Sequence, residues 1–88
     1  MPVVFRYKGY RFFFFSNEGN PLEPCHIHVR KGSAVAKFWV VPEVRLAQAY
    51  DMSSTELRGL LRVVERNQEL IKRKWDEYFG TTCKKSGI

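Results

Sequence analysis

Cys25-His26-Ile27-His28-Val29-Arg30-Lys31 and Ala34-Val35-Ala36-Lys37-Phe38-Trp39-Val40-Val41 are two alternating runs joined at Gly32-Ser33. The dipeptide suits a type II′ turn, so the stretch reads as a β-hairpin. Side chains alternate across a strand, which puts His26, His28 and Arg30 on one face and Cys25, Ile27 and Val29 on the other. With Gly32-Ser33 as the loop, Lys31 faces Ala34, Arg30 faces Val35, His28 faces Lys37 and His26 faces Trp39. One side of the hairpin is apolar, and the other gathers two histidines, cations and a tryptophan.

Upstream, Val3 to Phe15 is β-branched and aromatic, with a turn signal at Lys8-Gly9. A two-residue loop there sets Tyr7 against Tyr10, Phe5 against Phe12 and Val3 against Phe14 on the core side, and Arg6 against Arg11 on the other. Ser16 to Pro24 is a loop, since its two prolines exclude regular pairing. Downstream, Pro42 ends the second hairpin, and Val44-Arg45-Leu46-Ala47 reads equally as a short strand or a single helical turn. At Ser53 the period changes: Ser53-x-x-Glu56 is a capping box, and Leu57, Leu61, Val64, Ile71, Trp75 and Tyr78 fall on one helical stripe. One long helix from Ser54 to Phe79, closed by Gly80, would span about 39 Å at about 1.5 Å per residue. That exceeds what so small a sheet needs, so an end overhangs or the helix breaks. Val63 and Leu70 sit off the stripe and either flank the core or mark a partner contact such as a homodimer seam. The expected fold is α+β, a small antiparallel β-sheet of two hairpins packed on a long C-terminal α-helix. It forms one domain over 1–80, with a disordered polar tail at 81–88.

Eighty-eight residues are enough for one small domain that buries roughly 64% of its extended-chain surface. No apolar run is longer than the four residues of Phe12–Phe15, too short for a membrane span or a signal-peptide core, so neither membrane insertion nor export is expected. Cys25 and Cys83 lack any CxxC spacing, so neither a disulfide framework nor a zinc ribbon can be drawn from them, and a reducing cytoplasm fits best. The net charge of +6 favours polyanionic partners. Residues 1–50 carry seven basic and three acidic side chains (+4) and residues 51–88 carry eight and six (+2), so the surplus lies in the strand-rich half.

If both hairpins share one sheet and the helix covers its apolar face, Arg6, Arg11, His26, His28, Arg30 and Lys37 lie together on the uncovered face. Metal-free RNA cleavage needs a base for the 2′-hydroxyl, an acid for the leaving oxygen and cations for the phosphate, all of which His, Lys and Arg can supply. A solvent-facing sheet side is ordinarily polar, however, and its cations serve solubility as often as chemistry. His-x-His on a strand can also share a metal ion, but only Glu18 or Glu23 on the loop could complete such a site. Cys25 and His26 are adjacent strand residues facing opposite ways, which excludes a catalytic pair and makes Cys25 a core filler. Arg58, Arg62 and Arg66 share their helical arc with Glu65, Glu69 and Asp76, a mixed-charge solvated face. A helix-turn-helix would need a second helix at Val44–Tyr50.

Four blocks carry a family resemblance: Gly9-Tyr10-Arg11-Phe12-Phe13-Phe14-Phe15-Ser16-Asn17-Glu18, Pro24-x-His26-Ile27-His28-Val29, Ala36-Lys37-Phe38-Trp39 and Trp75-x-Glu77-Tyr78-Phe79. Together they resemble the small bacterial domain-of-unknown-function family 4160. Cys25 before His26 and Asp51-Met52 in the later turn depart from its pattern. The resemblance implies the small partner of a two-gene toxin–antitoxin-like module. On that basis the expectation is a toxin-like component acting on RNA, as a metal-independent ribonuclease without cofactor. His26, His28 and Lys37 would carry the chemistry, while Arg6, Arg11, Arg30 and Trp39 would hold nucleic acid. RNA is favoured over DNA, and a small antitoxin protein is the expected protein partner. The alternative is a non-catalytic regulatory module that binds nucleic acid or protein.

Overall fold

Positive φ at both Lys8 (48°) and Gly9 (85°) forms the tight turn expected of a two-residue hairpin loop, and Gly32 (61°) opens the second such turn. Around these turns the computed structural model describes residues 3–15, 24–80 and Cys83. Its elements are β1 (Val3–Tyr7), β2 (Tyr10–Phe13), β3 (His26–Lys31), β4 (Ala34–Trp39), β5 (Arg45–Tyr50), α1 (Ser54–Arg66) and α2 (Gln68–Phe79). The strands form one antiparallel sheet in the order β1-β2-β3-β4-β5. The two expected hairpins therefore belong to a single five-stranded sheet.

The β3–β4 register is the expected one, with His26 opposite Trp39, His28 opposite Lys37, Arg30 opposite Val35 and Lys31 opposite Ala34. In the first hairpin, Phe5 pairs with Phe12, Arg6 with Arg11 and Tyr7 with Tyr10, but an irregularity between Val3 and Phe5 sets Val3 against Phe13 rather than Phe14. The β2–β3 ladder joins the hairpins through Arg11–Arg30, Phe12–Val29 and Phe13–His28. Of Val44–Ala47, open between strand and helical turn, Arg45 to Ala47 enter a strand because the free edge of β4 supplies ladder partners, with an irregularity that leaves Ala47 unpaired between Leu46 and Gln48. That also removes the helix a helix-turn-helix would require.

The expected single helix is two. Ser53 caps α1 with both halves of the capping box formed by Glu56. At Asn67 the helix breaks, and the Asn67 side chain donates to the Val63 carbonyl (2.8 Å), which also accepts from the Asn67 backbone amide (3.2 Å). Gln68 then donates to the Val40 carbonyl (2.8 Å), which fastens the start of α2 to the strand side of the core. The break shortens the rod and lets both halves cover one small sheet.

They cover the face that carries Phe12, Ile27, Val29, Ala36 and Phe38, contributing Leu60, Val63, Val64, Ile71 and Trp75 to the core. Val63 is therefore an internal core residue rather than a partner contact, whereas Tyr78, placed on the core stripe by sequence, is 44% exposed. Each fully buried side chain of this size contributes about 1.5–3 kcal/mol. Arg58, Arg62, Arg66, Glu65, Glu69 and Asp76 are all exposed, as a solvated helix face requires.

The cysteines correct the sequence reading. Cys25 and Cys83 form a disulfide across 58 residues of sequence, so Cys25 is a cross-link and not a free core filler. The pairing is invisible to motif spacing, because only the sheet and the return of the chain beyond α2 bring the two thiols together. Gly80 (φ 67°) ends α2, and the Cys83 amide donates to the Asp76 carboxylate. Of the tail expected to be disordered, Cys83 is buried and anchored, and the remaining residues of 81–88 lie outside the described residues. The bond also removes the argument for a reducing compartment that rested on free thiols. Among the described residues, no helix is long and apolar enough to cross a membrane.

Candidate functional site

Residues directly opposite one another in antiparallel strands lie on the same side of the sheet. The registers therefore place Arg6, Arg11 and Arg30 in a row across β1, β2 and β3 on the face away from the helices. Phe13, His28, Lys37 and Gln48 form a second row across β2 to β5, and His26 and Trp39 a third. All seven residues singled out from the sequence thus share one side of the sheet by register.

The three arginines are exposed, and among the described residues none forms an ion pair. Like charges directly opposite on adjacent strands repel, so this row costs stability unless an anion lies over it. Guanidinium groups suit that role, since their donor fork matches phosphate oxygens.

The two histidines are not equivalent. His28 is half-buried and lines a groove of about 490 Å³ on the sheet face, together with Phe13, Phe15, Arg30, Lys37, Gln48 and Tyr50. Its ring packs against Phe15 at 4.3 Å and Phe13 at 5.6 Å. His26, expected on the same open surface, is 0% exposed. Its ring is enclosed by Trp75 of α2 (5.3 Å), Trp39 (5.6 Å) and His28 (5.0 Å). Nδ1 lies 2.8 Å from the Pro24 carbonyl. A carbonyl only accepts, so Nδ1 carries the proton and donates. His26 therefore cannot meet a solvent-borne substrate directly, and it supports the ring of His28.

Lys37 holds its ammonium over the Trp39 ring at 4.6 Å, a cation–π contact that fixes it beside the histidines. Trp39 is half-buried beneath it and does not line the groove. Among the described residues, no group of three metal-ligating side chains exists, and the Glu18 and Glu23 considered as completing ligands lie outside those residues.

Sequence reasoning missed Phe13, Phe15, Gln48 and Tyr50. Phe13 and Phe15 were hidden by the uniform Phe12–Phe15 run, in which Phe12 and Phe14 turn to the core while their neighbours turn outward. The core placement of Phe12 was the available signal, since alternation then fixes the other two. Gln48 and Tyr50 lie on the strand whose type sequence left open.

On the core side, the hairpin is held to α1 through Tyr10, whose hydroxyl donates to Glu56 Oε2 (2.5 Å). This bond, followed by burial and the nearby negative charge, raises the Tyr10 phenol from 10.0 to about 12. The same hydrogen bond, with the donation from the Ser53 amide, holds the Glu56 carboxyl below its ordinary value. Lys31 stands over the Tyr10 ring at 4.9 Å and completes a tie distinct from the groove.

A family described as "Domain of unknown function (DUF4160)" matches residues 9–76, well over half of the chain and inclusive of every groove residue. No curated protein and no solved structure matches the chain significantly.

Proposed function

The chain belongs to the DUF4160 family, and from that premise we propose that it is the toxin-like component of a two-gene module and acts on RNA through the open sheet face. The observation that supports this most directly is the Arg6–Arg11–Arg30 row, without an ion pair among the described residues, running beside a groove that holds His28, Lys37 and aromatic rings. Phosphate contacts from such a row would give affinity without reading sequence, and aromatic rings would give the bases a surface to stack on.

In the catalytic form of the proposal, His28 takes the proton of a 2′-hydroxyl and Lys37 faces the phosphate and protonates the departing 5′-oxygen. The O2′–P bond forms as the P–O5′ bond breaks, leaving a 2′,3′-cyclic phosphate and a 5′-hydroxyl. His26 is a positioning residue. The burial of His26 favours a second reading, a module that binds RNA without cutting it, because it leaves one histidine rather than two within reach of a ligand.

Titration of a labelled single-stranded RNA tests the shared part of both readings. Wild-type binding should weaken steeply with salt, and Arg11→Glu/Arg30→Glu should flatten that slope by at least about 1.4, the share of two phosphate contacts on a single strand. An unchanged slope would refute the phosphate row. Incubation of the same RNA with the protein separates the readings: cleavage to 2′,3′-cyclic phosphate ends that is lost in His28→Ala indicates catalysis, and a strand that is bound but stays intact indicates binding alone.

A further inference from the structure

The groove has a shape and lining that the arginine row does not explain. A duplex is read by convex elements, a helix or a two-stranded ribbon that enters its grooves, whereas this part of the sheet face is concave. A concave site needs a ligand that projects into it. At about 490 Å³ the groove lies within the size range of small-molecule sites, far below what a helix of nucleic acid requires. Phe13 and Phe15 form an edge-to-face pair at 5.3 Å, and His28 packs on both. Tyr50, 68% exposed, stands on the opposite side. Gln48, paired with Lys37 across the β4–β5 ladder, brings both amide donors and a carbonyl acceptor. Among the described residues that line the groove, none is acidic.

A flat aromatic ligand fits that lining on its faces, Gln48 and Lys37 suit its polar edge, and Arg30 at the rim suits an attached phosphate. We infer that the groove takes one unstacked nucleobase of a single strand while its flanking phosphates lie on the Arg11–Arg30 side. This rests on the RNA-binding reading above and adds that the bases, and not the backbone alone, supply affinity.

The test compares three labelled eight-nucleotide probes at one salt concentration by fluorescence anisotropy. They are a single-stranded RNA, the same RNA as a duplex, and a strand of equal charge made of ribose-phosphate without bases. The single strand should bind at least about fivefold more tightly than either of the others, given the contribution of one stacked base. Tyr50→Ala, at an exposed position that the fold does not need, should remove most of that preference and leave the baseless strand unaffected. Equal binding of the single and baseless strands would overturn the nucleobase site while the phosphate reading stands. Failure of all three to bind would overturn both.

Discussion

Opening the Cys25–Cys83 bond should remove a large share of the stability of this domain. The closed loop spans 58 residues. The chain-entropy relation gives about −14 cal/mol/K for a loop of that length, or about 4 kcal/mol at 25 °C. A domain of 88 residues has about 4–13 kcal/mol in total. Reduction would thus cost between a third and all of it, and lower Tm by about 15–30 °C. The assay is urea and thermal unfolding of the oxidised protein against the reduced, alkylated protein. The mechanism makes a second demand, since the cross-link acts on the unfolded chain: the reduced form should expose more surface on unfolding and show a larger m value. A Tm change below about 5 °C, or a loss of stability with m unchanged, would refute the loop-closure account.

Tyr10 and Glu56 should set both pH limits of a plateau in stability. The Tyr10 phenol is raised, so its contribution is present below about 10 and lost as pH rises through about 12. Glu56 is lowered, so its contribution is present above its ordinary value of 4.5 and lost as pH falls through its folded value. Urea midpoints against pH for wild type and Tyr10→Phe should differ most on the plateau and converge at both ends, and parallel curves would exclude the tie. Gly59→Ala, within α1 and with no atom within 4 Å of an added Cβ, should raise stability by about 0.5–1 kcal/mol, measured by urea unfolding. Gly9→Ala should instead lower it by about 1 kcal/mol, since φ is 85° and Lys31 lies 3.4 Å from the new carbon. Phe38→Ala, at a fully buried site on the central part of the sheet, should cost about 3–5 kcal/mol by the same measurement.

What could be read from the chain followed from local physics. Alternation in Cys25–Val41 and the two tight turns determine the β3–β4 register to the residue, and with it the meeting of His28 and Lys37. The row of Arg6 and Arg11 followed likewise, but its extension to Arg30 depended on the β2–β3 ladder, whose connection carries no turn of fixed length. The disulfide and the burial of His26 are products of tertiary packing: each depends on where α2 and the chain beyond it come to rest, and no periodicity encodes that. The helix break was foreshadowed only by excess length. Its position at Asn67 reflects a side chain that competes with the backbone for a carbonyl.

Strand order along the sheet is also strand order along the chain. Each ladder can therefore zip from the segment that connects it, and two of the four begin at turns of two residues that close on the microsecond scale of hairpin formation. No strand waits for a distant one, which keeps the search local and favours rapid pairing. The helices are different: α2 contacts Phe14 and His26, many residues upstream, through Trp75. Refolding should accordingly develop sheet signal before Trp75 is buried, a sequence of events that stopped-flow far-ultraviolet dichroism and tryptophan fluorescence in a Trp39→Phe background would resolve. Simultaneous appearance of the two signals would mean that the sheet forms only when α2 docks on it.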